Sequence, residues 1–449
     1  MEYPKTKITL NVRRGILILF IVAFFIITPV ILLYTEGYRY DWQNGLLKET
    51  GAISVDIQPA NAEIFLNNIK IKNKMPIRLK NITPRKYRVK ITSVGYYDWE
   101  RDIEVKNKQT VYIKEISLLK KTEPELLLSS TAKTLSLSPD KNFLAYTTPG
   151  GDLHLYNFTD KVDKKVINLK NLNSTLVVWA PKGNYFFVSE LEAPYANVWI
   201  FNAENTKKGF NLTDTVKMAI TKLQWKDSVE PELFFSTKNN LSTFRPLTQS
   251  VISMASTTKI IDWYADSGQF WTIQSTPSSS SQIIIINDTL GFNNNFKIVD
   301  LNTNSELKNI TLFYAHGNYA LIKTGNQSDL LLITPNKDFA LTGDKFKISE
   351  YNDWLITWTP WEVWTYAPGE EPNLLNRSGE GLKNVLPLDK YNTLGLVWNE
   401  KTTILYPYYQ VNLDWLKQSA SVVAVDPQNK ILYFDAKIGE KTGVWKLNY

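Results

Sequence analysis

The chain has 449 residues, of which 43% are hydrophobic and 13% aromatic, with a formal net charge of +7 and no cysteine. This length predicts two or three domains, and the absence of cysteine excludes disulfide frameworks, thiol chemistry and zinc–thiolate sites. Lysine and arginine are scattered along the chain, so no basic patch indicates nucleic acid binding.

Residues 15–34, from Gly15 to Tyr34, form an uncharged apolar run. A helix of about 20 residues spans the hydrocarbon core of a bilayer, so the run predicts a transmembrane anchor in contact with lipid. The charged side chains of residues 1–14 are mostly basic. Because lysine and arginine stay on the cytoplasmic side, they predict a cytoplasmic tail, a single-pass protein of the cell membrane and an extracytoplasmic body. The alternative is a cleaved signal peptide, which needs a shorter apolar core and a small-x-small cleavage site.

Residues 35–50 are expected to form a juxtamembrane spacer. Aromatic residues typical of a membrane interface lie around its start, namely Tyr34 at the end of the apolar run and Tyr38, Tyr40 and Trp42 in the spacer. Residues 51–120 alternate apolar and polar side chains over several short stretches bounded by turn residues. Such alternation predicts strands with one buried face and one solvated face. We therefore expect a small all-β sandwich.

This sandwich resembles the PEGA domain, a β module named after a Pro-Glu-Gly-Ala signature. The resemblance rests on Pro59, Ala62, Ile64 to Asn68, Met75 to Leu79, Pro84, Tyr87, Val89, Ile91 and Gly95 to Trp99. The family usually has glycine where this chain has Asn68 and Arg85. Asparagine tolerates a positive φ, whereas arginine departs from that turn. The resemblance implies an extracytoplasmic, non-catalytic module of membrane-anchored bacterial proteins that binds surface components.

From residue 121 to 449 a pattern recurs, with an apolar residue, a turn of Pro, Asp, Gly or Asn, and then four or five apolar or aromatic residues. Its eight copies begin about 36 to 51 residues apart, at Leu135, Val177, Leu223, Ile261, Leu312, Ile348, Val385 and Val422. Periods of about 40 to 50 residues with several short strands predict a β-propeller, here with seven or eight blades. One large irregular β-sandwich is the alternative.

The copies resemble the TolB-like and WD40-like propellers, although the full GH…WD signature of WD40 repeats is missing. In each copy the turn is expected to join the first two strands of a blade, and the apolar run after it to be a buried central strand. The segment around Leu126 to Leu128 is expected to add an outer strand to the last blade and close the ring.

No motif in the chain indicates a catalytic, cofactor or metal site. The two histidines, His154 and His316, are far apart in sequence, and a nucleophile elbow, a P-loop and a dinucleotide fingerprint are missing. We therefore predict a non-enzymatic protein without a cofactor. The alternative is a carbohydrate-active hydrolase or lyase whose carboxylates face each other in the propeller channel, about 5 to 9.5 Å apart.

One expected blade is unusually rich in aromatic residues, namely Trp354, Trp358, Trp361, Trp364 and Tyr366. Exposed Trp and Tyr side chains stack on sugars or anchor protein partners, whereas buried ones fill the gaps between blades. Trp361 is expected to be the exposed member, because it follows Pro360. The sequence as a whole predicts a membrane-anchored envelope scaffold that binds a cell-wall polymer or a protein partner.

Overall fold

The structure is a computed structural model of the full chain. It describes residues 9–41, 45–72, 74–169, 175–256, 260–266, 269–275, 282–289, 292–300, 310–317, 319–324, 329–349, 354–367, 369–420 and 422–449. The chain divides into two compact units, Met1–Lys121 and Thr122–Tyr449.

The first unit begins with helix α1 (Leu10–Thr35), which continues through Pro29. Its 26 residues span about 39 Å, more than the hydrocarbon core of a bilayer. The apolar side chains are exposed along the helix, Phe20 by 69% and Phe25 by 70%. In the described part of the chain, this is the one helix long and apolar enough to cross a membrane. By length and composition it can be a membrane anchor or a signal sequence.

The segment expected to be a spacer contains a hairpin of two strands, β1 (Tyr38–Asp41) and β2 (Leu46–Glu49). Arg39 joins this hairpin to the end of α1. Its guanidinium carbon lies 3.7 Å from the centroid of the Tyr34 ring, and it donates hydrogen bonds to the carbonyls of Tyr34 and Tyr38. Trp42 lies outside the described residues.

The predicted sandwich follows, with strands β3 (Gly51–Gln58), β4 (Glu63–Leu66), β5 (Ile69–Ile71), β6 (Ile77–Ile82), β7 (Arg85–Thr92), β8 (Trp99–Val105) and β9 (Thr110–Ser117). One sheet has the order β6-β3-β9, and the other has the order β5-β4-β7-β8. Alternate side chains of β3 are buried, and so are Val89 and Ile91 of β7 and Trp99 of β8. The alternation in the sequence therefore becomes the two-sheet core.

The turn between β4 and β5 explains one departure from the PEGA pattern. Asn67 and Asn68 have φ values of 49° and 65°, so both central residues of this two-residue hairpin are left-handed. Asparagine is one of the few residues other than glycine that adopts this conformation readily. Arg85, the other departure, is the first residue of β7 and has no positive φ. Neither departure disrupts the sandwich.

The second unit is built almost entirely of short strands, with a helix α2 (Leu212–Val216) and a 3₁₀ turn (Pro407–Tyr409). Its first half contains β10 (Glu125–Leu128), β11 (Thr134–Leu137), β12 (Phe143–Thr147), β13 (Asp152–Asn157), β14 (Val162–Asn168), β15 (Thr175–Trp179), β16 (Tyr185–Glu190), β17 (Trp199–Asn202), β18 (Asn205–Asn211), β19 (Ile220–Trp225), β20 (Leu233–Thr237), β21 (Asn240–Arg245), β22 (Ser250–Ser256), β23 (Ile260–Asp266), β24 (Gln269–Ser275), β25 (Gln282–Thr289) and β26 (Phe292–Asp300).

Its second half contains β27 (Ile310–His316), β28 (Tyr319–Thr324), β29 (Asp329–Ile333), β30 (Phe339–Thr342), β31 (Lys345–Ile348), β32 (Leu355–Trp358), β33 (Glu362–Tyr366), β34 (Asn373–Arg377), β35 (Asn384–Pro387), β36 (Leu394–Val397), β37 (Thr402–Tyr406), β38 (Val411–Leu416), β39 (Val423–Asp426), β40 (Ile431–Ile438) and β41 (Lys441–Asn448).

In the described residues these strands form eight four-stranded antiparallel sheets. Seven sheets are built from consecutive strands, beginning with β11–β14 and ending with β35–β38. The eighth has the order β10-β41-β40-β39, so the expected outer strand at Leu126 to Leu128 does complete the last sheet. One core cluster contains Leu144 and Tyr146 of the first sheet with Tyr433 and Val444 of the last, which closes the ring of a β-propeller.

Tryptophan connects neighbouring sheets of the propeller. The indole Nε1 of Trp179 donates to the carbonyl of Ser136 at 3.2 Å, and that of Trp225 donates to Val178 at 3.0 Å. In both cases the first strand of one sheet is bonded to the first strand of the sheet before it. The large rings thus fill the gaps between blades while their polar atoms remain paired.

Candidate functional site

The propeller has two faces, which follow from its strand order. In the seven sheets built from consecutive strands the first strand is the inner one, in the eighth sheet the inner strand is β39, and successive turns alternate between the two ends of each sheet. The upper face is defined as the side on which the inner strands begin, for example at Ile260 and Ile310. The turns that connect the second and third strands of a sheet lie on the same side. We call lower face the opposite side, where the inner strands end, for example at Ile348 and Pro387.

The structure separates the five aromatic residues of the predicted contact site. Trp358 and Tyr366 are only 3% and 4% exposed, because their strands lie between neighbouring sheets. Trp354 and Trp364 are partly buried. Trp361 is 55% exposed, as expected from its position after Pro360. The prediction of a partner contact is therefore corrected for Trp358 and Tyr366, which belong to the core, and Trp361 is the member that presents its ring to solvent.

Trp361 is held on a fixed turn between β32 and β33, on the upper face. Its N–H donates to Thr359 Oγ1 at 3.1 Å, and its carbonyl accepts from the N–H of Ser378 at 2.9 Å. The carbonyl of Pro360 accepts from the N–H of Leu382 at 2.8 Å. Backbone bonds on both sides of the indole reduce the conformational entropy that binding would otherwise cost.

Glu362 secures the strand next to this turn. It accepts from the indole Nε1 of Trp364 at 2.9 Å and from Nε of Arg377 at 2.8 Å. The hydrogen bond from Trp364 lowers the pKa of the Glu362 carboxyl. The hydrogen bond from Arg377 and the positive charge of that guanidinium lower it further. The polar atom of Trp364 is therefore engaged within the blade.

An ion pair that sequence reasoning missed lies near the propeller axis. The Lys222 ammonium of β19 donates to both carboxylate oxygens of Asp262, at 3.0 and 2.9 Å, and to the carbonyl of Leu312 at 3.0 Å. Asp262 in turn accepts from the N–H of Leu312 at 2.7 Å. Burial lowers the pKa of Lys222, against the opposing effect of Asp262. Since all three ammonium protons are used, the pair joins three consecutive sheets and is not free to bind a ligand.

This ion pair forms part of the wall of a recess of about 480 Å³ on the upper face. Hydroxyl groups make up much of the rest of the wall, with contributions from Tyr195, Thr221, Thr237 and Thr311. The recess offers these hydroxyl groups and the charged residue Lys238, which suit a polar segment of a partner. A lysine in β19 and an aspartate in β23, both on strands of the recurring pattern, were the available sequence signal.

The described inner strands show no pair of free carboxylates facing each other. Asp262 is engaged by Lys222, and Asp426 accepts from the side chain of Asn429 at 2.8 Å. His154 lies 3.1 Å from a carboxylate oxygen of Asp163, within the first sheet. No group of three or more His, Asp or Glu that could hold a metal ion occurs among the described residues. Around Lys222 and Asp262 the described residues therefore form a satisfied structural network.

Comparison with known families identifies the sandwich. Residues 50–118 match the family model of the PEGA domain. This match covers less than a sixth of the chain. No curated protein matches the sequence.

Solved β-propellers are similar to the second unit in fold. The β-propeller domain of Cps50 (Swd1) from Myceliophteria thermophila is 9% identical, with a TM-score of 0.43, over 72% of this chain and 100% of that one. The C-terminal WD40 domain of Sif2 is 10% identical, with a TM-score of 0.46, over 72% and 97%.

An enzyme is also among the similar structures. The dihydro-haem d1 dehydrogenase NirN, in complex with DHE, is 12% identical, with a TM-score of 0.45, over 65% of this chain and 67% of that one. These likenesses concern the fold alone and do not decide between a scaffold and an enzyme. The chain thus joins an apolar N-terminal helix and a PEGA domain to a β-propeller.

Proposed function

We propose that the protein is a non-enzymatic interaction scaffold of the cell envelope, anchored by α1 and exposed outside the cytoplasm. A helix whose apolar side chains are exposed along its length needs lipid around it, which supports the anchor. The basic tail before α1 supports a cytoplasmic N-terminus. The PEGA domain then stands next to the membrane in sequence, as a spacer or as a contact for wall polymer.

The propeller is the part of this scaffold that binds a protein partner, through its upper face. The observation that carries this proposal is the exposed indole of Trp361 on a turn that backbone bonds hold in place. Tryptophan is enriched among the residues that dominate binding energy at protein interfaces. The polar recess around Lys222 and Asp262 lies on the same face and offers the hydrogen-bonding groups that an interface needs beside an aromatic anchor.

A capture experiment with matched variants tests the proposal. The full-length protein in detergent is exposed to solubilised envelope proteins and, separately, to isolated cell-wall polymer. Trp361→Ala is compared with Tyr408→Ala, which removes an exposed aromatic ring (76% exposed) from the lower face. We expect Trp361→Ala to weaken binding of a protein partner roughly tenfold or more, because central aromatic anchors contribute most of the binding energy. Tyr408→Ala should bind like wild type.

The two materials separate the contributions of the two units. Wall polymer that binds wild type and Trp361→Ala equally would assign that contact to the PEGA domain. Equal capture of a protein partner by wild type and Trp361→Ala would refute the upper face as the docking surface.

A further inference from the structure

Lys347 is a lysine of the propeller channel without an acidic partner among the described residues. It lies on the inner strand β31, and its side chain crosses to β35 of the next sheet. There its Nζ donates to Oδ1 of Asn384 at 3.1 Å and to the carbonyl of Val385 at 2.8 Å. An ammonium group has three N–H donors, so one remains after these two bonds.

Lys347 differs in this respect from Lys222, another lysine near the axis. Lys222 uses its three donors within the protein and has Asp262 as its counter-ion. For Lys347 the neighbouring charge is instead the ammonium of Lys345 on the same strand. Burial, and then repulsion from Lys345, lowers the pKa of Lys347 to about 8. An anion bound here would offset both the cost of burying the Lys347 charge and the repulsion from Lys345.

The side chain of Lys347 lines a recess of about 180 Å³ towards the lower face of the propeller. The rest of the wall is apolar and comes from three consecutive inner strands and the residue after the last of them, with Ile348, Leu386, Pro387, Val423, Val425 and Pro427. An apolar cavity of about 150 Å³ accommodates a molecule the size of benzene. The recess is thus large enough for one short hydrocarbon group, with a single cation beside it.

We propose that this recess binds a small aliphatic carboxylate, with its anionic group on Lys347 and its hydrocarbon body against the valine and proline side chains. A charged acceptor matches the remaining ammonium donor, and a charge-assisted bond is stronger than a neutral one. A free short-chain carboxylic acid and the C-terminal residue of an apolar peptide share this chemistry. The site is independent of Trp361, which lies on the opposite face.

Calorimetric titration with hexanoate of the full-length protein in detergent tests the site. Hexanol, which has the same hydrocarbon chain length but no charge, is the control ligand. We expect hexanoate to bind and hexanol to bind at least tenfold more weakly. Lys347→Met keeps the apolar stem and should weaken hexanoate binding roughly 10- to 100-fold, the effect of a lost bond between charged groups. Lys347→Arg should retain binding. Lys345→Met, the matched control on the same strand, should bind within about twofold of wild type.

A second measurement does not depend on the folding of a variant. Bound hexanoate should protect Lys347 from amine acylation in the wild-type protein, whereas Lys345 should react equally with and without ligand, as read by mass spectrometry. Absence of hexanoate binding to wild type, or equal binding by Lys347→Met, would overturn the proposal.

The source of the carboxylate is distinguished by two tripeptides, Gly-Gly-Val with a free C-terminus and the same peptide amidated. Tighter binding of the free peptide than of hexanoate identifies a peptide C-terminus as the ligand. Tighter binding of hexanoate identifies a free acid. In either case the amidated peptide should bind no better than hexanol.

Discussion

Asp389 is a carboxylate almost removed from solvent, 6% exposed, in the turn between β35 and β36. Its Oδ1 accepts from the backbone N–H groups of Tyr391 at 2.9 Å and Thr393 at 3.1 Å. Burial raises the pKa of this carboxyl, against the opposing effect of these hydrogen bonds. A raised pKa in the folded state means that the contribution of Asp389 to stability is present at low pH. That contribution is lost as the pH rises through the folded-state pKa.

Asp389→Asn should therefore stabilise the propeller at pH 7. The amide oxygen can accept the same two backbone bonds, and the cost of burying a charge disappears. We expect a gain of about 0.5–2 kcal/mol at pH 7, the usual range for a stabilising substitution. The gain should shrink as the pH falls below about 3.9, the ordinary pKa of aspartate, because the raised pKa keeps the carboxyl of wild-type Asp389 protonated there. Chemical denaturation of residues 122–449 at both pH values measures it, and a pH-independent difference would contradict the assigned cause.

At the scale of elements, the closing of the ring depends on the pairing of β10 with β41. Gly443 of β41 lies directly against this strand, because a Cβ placed there would be 2.0 Å from the carbonyl oxygen of Leu128. A register shift between Leu126 and Leu128 marks the same place in the ladder. Only a residue without a side chain allows the two backbones to approach this closely.

Gly443→Ala should push β10 away from β41 and open the last sheet. We expect a loss of about 1–3 kcal/mol in the free energy of unfolding, the usual cost of overpacking. Amide hydrogen exchange should also become faster in β10, because it is an edge strand whose ladder partner is β41. Gly379→Ala is the control, since a Cβ there meets nothing within 4 Å. Equal thermal unfolding of both variants would show that the close approach is not needed.

At the scale of the whole molecule, a membrane-length helix precedes more than 400 residues, whose described part consists mainly of β-strands. The basic residues before the helix and the nearly balanced charges after it predict that these two parts lie on opposite sides of the bilayer. The absence of cysteine makes this orientation directly measurable, because an introduced thiol is the only one in the chain.

Two single-cysteine variants should label differently in intact cells. Val229→Cys, at a position 83% exposed in the propeller, should react with a membrane-impermeant maleimide. Lys5→Cys should react only after the cells are permeabilised, and the wild-type chain should not react at all. The reverse labelling pattern would refute the proposed orientation. A shorter chain that lacks the residue 5 label would identify a cleaved signal peptide.

Local features of the sequence predicted much of the fold. Three such features act over only a few residues. They are the alternation in β3, the paired asparagines of the β4–β5 turn, and the turn followed by an apolar run in each propeller sheet. Trp361 was recognised for the same reason, since Pro360 beside it indicates an exposed turn. Trp358 shows the limit of this reasoning, because its burial depends on the neighbouring sheets and not on its local sequence.

The sequence by itself determined the membrane-length helix, the all-β class and the recurring four-stranded unit, because backbone geometry and side-chain periodicity are local properties. Only the tertiary structure decided which side chains meet near the propeller axis. Lys222 contacts residues 40 and 90 positions away, whereas Lys347 reaches Val385 and has no carboxylate partner among the described residues. Both lysines look alike in the sequence. Their different environments arise when distant strands converge on one axis, which no local pattern encodes.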